Sequence, residues 1–390
     1  MRRRHMRYRA VLWVAILLLG CPSALAETAG RHISPGELLT GTALDLGPDR
    51  PAMVSNDEVM ALSDEMREFL DNHVSRRAGQ NVKLKQLADA VFSKRTFGLE
   101  YDEATHTAAE TFAARRGNCL SFTFMFVVLA RGAGLEATFQ EVEIPSEWTF
   151  VENTFILNRH VNIYVDQGPL PPKIVDFNIA DFRADYDMQT ISDRRALAHF
   201  FNNMGAEFMQ HGDTTAAFYA IRRAIAENDR TFAPAWDSLG TLYSRNGLGD
   251  HAEAAFLQAL EIDRSDLTAM TNLTALYDRR GDSKLAARYR KKVRSHRMRN
   301  PYYRFQLARL AYSFEDYDQA IGHLKYAIRR GREDDRFDAL LALVYLRMGD
   351  EEKSRRWMAR AEKLAKTDEL RSVYSSKIDR LISASKRGSH

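Results

Sequence analysis

Apolar residues recur along this chain in two rhythms, one for each half. In the first half, Asp57 to His73 and Asn81 to Ser93 carry apolar positions at helical spacing and predict two short amphipathic helices. The run from Cys119 to Arg131 is apolar enough for a buried helix; Gly117-Asn118 turns the chain into it, and Gly132 to Gly134 stop it. Phe139, Val142 and Ile144 gather in a strand predicted from Ala137 to Ile144. In the stretch NRHVNIYVD, Val161, Ile163 and Val165 alternate with His160, Asn162 and Tyr164, which predicts a second strand with His160 on its more polar face. Gly168-Pro169-Leu170-Pro171-Pro172 makes a turn, and KIVDFN predicts a third strand carrying Asp176. Two adjacent antiparallel strands would bring His160 and Asp176 within reach of each other. Residues 27–56, rich in Gly, Pro and polar side chains without a sustained period, read as a linker.

From about Ala198 the pattern becomes wholly helical and repeats itself. Met204-Gly205, Leu239-Gly240, Leu273-Thr274, Leu307-Ala308 and Leu341-Ala342 align at offsets of 35, 34, 34 and 34 residues. Trp236, Gly240, Tyr243, Ala252, Phe256 and Ala259 follow a W-LG-Y-A-F-A order, and Ala217, Ile221, Ala224, Ala320, Leu324, Ala327, Tyr345 and Ala361 keep step with it. This period and these landmarks resemble tetratricopeptide (TPR) repeats, in which small residues let two helices approach and aromatics fill the gap to the next repeat. An ordinary helical bundle predicts no fixed period over five units. A last helix, Leu370 to Ser383, is expected to cap the array.

Composition changes this picture only at the N-terminus. The chain has 390 residues, 45% of them hydrophobic, ordinary for globular domains with real cores. Its formal charge of +4 comes from the first nine residues, which hold five arginines; residues 1–26 contain no acid, and without them the charge is −1. The high pI therefore gives no argument for nucleic acid as a partner. A cationic start, an apolar stretch from Ala10 to Leu19 and then small residues read as an export signal. Two processing sites compete. Ser23-Ala24-Leu25-Ala26 suits cleavage before Glu27, whereas Leu18-Leu19-Gly20-Cys21 resembles a lipobox that would leave Cys21 lipidated. Either route leads out of the cytoplasm, to the periplasm or a membrane facing it.

Of the two cysteines, Cys21 lies in this signal, so the processed protein keeps one thiol, Cys119. It has no partner for an internal disulfide, and no CxxC or HExxH spacing offers a metal site. A buried structural cysteine is one reading; a nucleophile is the other. A thiolate in the first turn of a helix gains from the amides exposed there, and a histidine neighbour lowers a thiol from about 8.5 into the range of roughly 3.5 to 7.5. The histidine needs a third group to hold its tautomer. Cys119 after a Gly-Asn turn, His160 on one strand and Asp176 on the next supply that order.

The stretch from about Leu99 to Asn178 resembles the transglutaminase-like superfamily, relatives of the papain fold. Gly117-Asn118-Cys119 matches its nucleophile turn, HVNIYV its histidine strand and IVDFN its aspartate strand, at intervals of 41 and 16 residues. The resemblance implies a catalytic triad of Cys119, His160 and Asp176 with no cofactor. Asn118 stands where that family often has Asp, and no side chain is evident for the oxyanion; the Cys119 amide is a natural donor. Trp148 and Asn162 are candidates to line the cleft.

The expected architecture is a signal peptide (1–26), a linker (27–56), an α+β transglutaminase-like (papain-like) domain (57–192) and an all-α TPR solenoid (193–385) of about five repeats and a cap. The expected function is thiol-dependent acyl transfer on a peptide or protein recruited by the TPR groove, to water or to an amine. The rival is a non-catalytic scaffold in which the repeats do the binding. Two weaker signals carry less. Gly132-x-Gly134 follows a helix and is no dinucleotide loop. The basic run Arg288 to Arg299 reads as a solvated helix face before it reads as a site for acidic partners or lipid head groups.

Overall fold

A computed structural model describes residues 33–93, 96–143, 148–151, 154–157, 160–177, 187–331, 333–365, 367–368 and 371–377. The signal peptide, Cys21 and both processing sites lie outside the described residues, as do Ile144, Asn178 and both ends of the expected capping helix.

Four short helices open the described chain: α1 (Pro35–Leu38), α2 (Asn56–Val59), α3 (Asp64–His73) and α4 (Gln80–Phe92). Periodicity alone predicts one helix from Asp57 to His73, but two caps divide it. Ser55 and Glu58 form a reciprocal capping box on α2, and Ser63 starts α3 by accepting from Met66 N at 3.3 Å. The expected linker is packed from Ile33 onward. Leu38, Leu39 and Leu44 are buried, Tyr243 donates its hydroxyl to Leu38 O at 2.6 Å, and Asn56 Nδ2 donates to Asn228 Oδ1 at 3.1 Å. Gly and Pro there mark turns between buried leucines, not a loose tether.

Next come β1 (Glu100–Tyr101), α5 (Ala108–Ala114), β2 (Arg116–Gly117) and α6 (Cys119–Gly132). Every residue of α6 from Leu120 to Ala130 is buried, as a helix apolar on all sides requires. It packs against α3, α4 and α5 and against an antiparallel sheet of order β7-β6-β3-β8, built from β3 (Glu136–Glu143), β6 (His160–Gln167), β7 (Leu170–Val175) and β8 (Asp187–Ile191). The edge strand β8 was not expected. Neither was the hairpin of β4 (Trp148–Val151) and β5 (Thr154–Leu157) between β3 and β6.

Five helix pairs follow: α7 (Asp193–Gln210) with α8 (Thr214–Arg223), α9 (Ala233–Arg245) with α10 (Gly249–Ile262), α11 (Leu267–Arg280) with α12 (Ser283–Arg297), α13 (Pro301–Ser313) with α14 (Tyr317–Arg330), and α15 (Asp335–Arg347) with α16 (Glu351–Leu364). The sequence period is visible in the backbone. Turns within the pairs place Gly212, Gly247, Gly281, Glu315 and Gly349 in the left-handed region, so four glycines and one glutamate hold equivalent positions. Asp213, Asp282, Asp316 and Asp350 cap the second helices of four pairs. At the Leu-Gly landmark, a Cβ on Gly240 would lie 2.6 Å from the Phe256 ring, which is why the residue there is small. In the expected capping region, helix is described over residues 371–377, and Tyr374 is buried with its hydroxyl 2.6 Å from Asp335 Oδ2.

The boundary expected at residue 192 coincides with Ser192, the N-cap of α7, yet the core does not stop there. One apolar cluster runs from Leu38 through α6 and the sheet to Val293 in α12. Glu141 of β3 reinforces the joint, accepting from Arg195 Nε at 2.7 Å and lying 2.6 Å from His199 Nε2, both on α7.

Candidate thiol site

The site begins at a strained corner. Arg115 ends α5 at φ 53°, ψ 30°, in the left-handed region that a side chain of its size rarely adopts. The chain then runs beside β1, with Glu100 N donating to Arg115 O at 2.9 Å and Asp102 N to Gly117 O at 3.0 Å. Gly117 is required by closeness: a Cβ there would lie 2.8 Å from Ser121 Cβ.

Asn118 follows as the N-cap of α6. Its Oδ1 accepts from Ser121 N at 2.9 Å and from Ser121 Oγ at 3.0 Å, while its Nδ2 donates to Thr105 Oγ1 at 2.8 Å. The asparagine therefore orders the turn, with both ends of its amide engaged. Cys119, partly exposed, is the first residue of α6, where the helix dipole and the first-turn amides favour negative charge. One turn on, the Thr123 hydroxyl lies 2.9 Å from Cys119 O and 3.1 Å from Val161 O, so these two carbonyl oxygens are no more than 6.0 Å apart. The helix start is thus laid against β6 at the residue next to His160.

His160 and Asp176 meet as a buried pair. Strand pairing sets Ile163 opposite Val175, and the next residue, Asp176, reaches diagonally back to His160. His160 Nε2 lies 2.8 Å from both carboxylate oxygens of Asp176. A carboxylate only accepts, so Nε2 carries the proton and the basic lone pair falls to Nδ1. Asn162, fully buried, donates Nδ2 to Asp176 Oδ2 at 3.0 Å, which makes it a second anchor for the carboxylate and not a cleft residue. Phe177 packs at centroid distances of 4.9 Å from Phe92 and 5.3 Å from Phe122, pinning the backbone just after Asp176. Trp148 heads β4, opposite Leu157.

Sequence patterns passed over several neighbours. Tyr101, two-thirds exposed, pairs in backbone register with Gly117. Burial raises its phenol above the usual value, and negative charge at Cys119, Glu103 and Asp102 acts in the same direction, which marks Tyr101 as an electrostatic neighbour of the thiol. Thr105, Ser121 and Thr123 join the turn to its surroundings; no motif marks them, because short hydroxyl side chains also serve as ordinary caps. Among the described residues, no group of three or more His, Cys, Asp or Glu is placed to hold a metal ion, and no helix is long and apolar enough to cross a membrane. The basic run lies on and just beyond α12, where Arg288, Lys291, Lys292 and Arg294 are exposed and Arg290 pairs with Asp278.

Comparison with known proteins bears on the helical half. A tetratricopeptide-repeat family model matches residues 233–266, the span of α9 and α10. No curated protein sequence matches the chain. Among solved structures, MamA from Desulfovibrio magneticus RS-1 is similar at 14% identity and TM-score 0.25, over 44% of this chain and 96% of that one. YrrB, a TPR protein with an unusual peptide-binding site, is similar at 17% identity and TM-score 0.24, over 46% and 92%. PilF of Pseudomonas aeruginosa is similar at 14% identity and TM-score 0.27, over 49% and 87%. Residues 233–266 are a tetratricopeptide repeat, set within a helical, TPR-like solenoid.

Proposed function

We propose that the chain is an exported thiol acyl-transfer enzyme with a transglutaminase-like front half, acting on a peptide or protein that its repeats recruit. In this reading Cys119 passes its proton to His160 Nδ1 and the thiolate adds to an amide carbonyl. The tetrahedral oxyanion takes hydrogen bonds from amides at the start of α6, including that of Cys119. As the C–N bond breaks, His160 returns the proton to the leaving amine and a thioester remains. Water, or an amine, gives its proton to Nδ1 and attacks the thioester, releasing a carboxylic acid or a new amide and restoring the thiol. Asp176, backed by Asn162, keeps His160 in the tautomer this sequence needs.

The observation that carries the proposal is the buried His160–Asp176 couple on the strand against which Cys119 opens its helix. A structural histidine needs one acceptor; this one faces both oxygens of a carboxylate held by a third side chain. The export signal read in residues 1–26 supports an action outside the cytoplasm, and hydrolysis is the simpler outcome because water far outnumbers any amine acceptor.

The second reading, a non-catalytic scaffold, is favoured by the repeat match at residues 233–266. Thiol reactivity separates the two. Iodoacetamide should modify Cys119 at pH 7 much faster than it modifies free cysteine, and His160→Ala should remove the excess. Equal rates for the protein and free cysteine would leave the scaffold.

A further inference from the structure

The repeats supply the last acceptor in a hydrogen-bond relay that starts at the cap of α6. Asn118 Oδ1 holds the first turn through Ser121 N at 2.9 Å, and both hydrogens of its amide are spent on the loop before it, at Thr105 Oγ1 (2.8 Å) and Glu103 O (3.3 Å). Thr105 has one hydroxyl proton and donates it to Glu207 Oε1; its backbone N–H donates to Glu207 Oε2 at 3.2 Å. The same loop is tied to the helix directly, since His106 N donates to Ser121 Oγ at 2.9 Å. Glu207 is in α7, the first helix of the repeats, 102 residues from Thr105.

The relay has a direction, and the acceptor at its end reinforces it. A hydroxyl that gives its proton to a carboxylate can only accept from its other side, so Thr105 takes the Asn118 amide hydrogen. Turning that amide over would set oxygen against oxygen at Thr105 and N–H against N–H at Ser121. The Ser121 N–H and the Glu103 carbonyl already select this face of the amide; the Glu207 carboxylate reinforces it by claiming the Thr105 proton, and so steadies the ordered first turn that stabilises negative charge at Cys119.

We infer that Glu207 is a positioning residue for the thiol site, so that the repeat array frames the nucleophile turn as well as recruiting a partner. The inference rests on the thiol chemistry proposed above and deepens it. Its test is the rate of Cys119 alkylation by iodoacetamide from pH 5 to 9 in the full chain. Glu207→Ala lowers the rate at pH 7 about three- to tenfold, the loss of one cap expressed as an equilibrium, and moves the profile upward by roughly half to one pH unit. Glu207→Gln, which keeps an acceptor for the Thr105 hydroxyl, restores most of the rate. Thr105→Val, which leaves Glu207 in place, reproduces the upward shift and carries the test should Glu207→Ala fail to fold. Wild-type profiles for Glu207→Ala and Thr105→Val, with His160→Ala still abolishing the excess, overturn the inference and leave the thiol site standing. Equal loss in Glu207→Ala and Glu207→Gln with no effect of Thr105→Val also overturns it, as mere destabilisation of α7. A wild-type thiol no faster than free cysteine removes the thiol site itself, and the inference with it.

Discussion

Replacing Glu141 by glutamine tests whether the joint between sheet and repeats is electrostatic. Glu141 stands on β3, opposite Val161 and one residue from the partner of His160, and is mostly buried. Burial alone would raise its carboxyl, but hydrogen bonds from His199 and Arg195 and their charge outweigh it and hold the group at about 2, against 4.5 in an exposed glutamate. At 1.36 kcal/mol per unit, that difference corresponds to about 3 kcal/mol of folding stability. Because the folded value is depressed, the contribution is complete above pH 4.5 and disappears as pH falls from there toward 2. Removing the charge also leaves Arg195 with Asp229 as its remaining ion-pair partner, at 3.1 Å. Loss of one member of a buried pair costs about 3 to 5 kcal/mol in other proteins, where the partner charge is left alone; Arg195 keeps Asp229, so the lower end of that range is the upper bound here. Urea unfolding of wild type and Glu141→Gln, followed by tryptophan fluorescence, should show a gap of about 3 kcal/mol at pH 7 that narrows steadily below pH 4.5. A gap under about 1 kcal/mol at pH 7, or one that stays constant down to pH 3, refutes the reasoning.

Glu315→Gly should stabilise the array, because it removes a left-handed non-glycine residue at a position that is glycine in the other four pairs. Relief of about 1–2 kcal/mol, less about 0.5–1 for glycine's chain entropy, leaves a gain of about 0–1.5 kcal/mol, and a lower melting temperature counts against it. Gly240→Ala should do the reverse of what helix propensity suggests. Its Cβ meets the Phe256 ring at 2.6 Å, so overpacking of about 1–3 kcal/mol wins, and Phe256→Leu in the same background should recover part of the loss in thermal unfolding. Asp338 is pushed up to about 6 by burial and then by Asp334 and Asp335, against the pull of Arg360. Its ionisation therefore opposes folding increasingly from pH 3.8 to about 6 and by a constant amount above, so Asp338→Asn should stabilise at pH 7.5 and bring no gain below pH 3.8; equal gains at both would contradict the sign.

What the chain disclosed before folding depended on how local the cause was. The repeats were legible because landmarks such as Gly240 and Phe256 recur at a period fixed by one contact geometry. His160 and Asp176 were legible because strand alternation and a short turn determine cross-strand neighbours. Local cues were also present where the helical expectation failed: Ser55 and Ser63 are caps, and they divide a stretch that apolar spacing joined. The packing of residues 33–56 was hidden for another reason. Leu38 and Leu44 find their neighbours far along the chain, and no pattern within a Gly- and Pro-rich segment announces that. Strand β8 escaped because, among the described residues, Asp187–Ile191 pairs only with β3, some fifty residues back, and its composition is that of an edge. Thr105 and Glu207 belong to the same class: the pair exists only because two distant elements meet.

The bond from Tyr243 to Leu38 has a consequence for how the molecule is made. Its ends are 205 residues apart, so at ribosomal speeds of about 5–20 residues per second the leucine-rich opening segment exists for roughly 10–40 s before its seat has been synthesised. During that interval Leu38, Leu39 and Leu44 are sticky, unhoused surface. A chain stopped short of α9 would keep them so, and should be recovered bound to a holdase chaperone or in aggregates, never as a soluble front half.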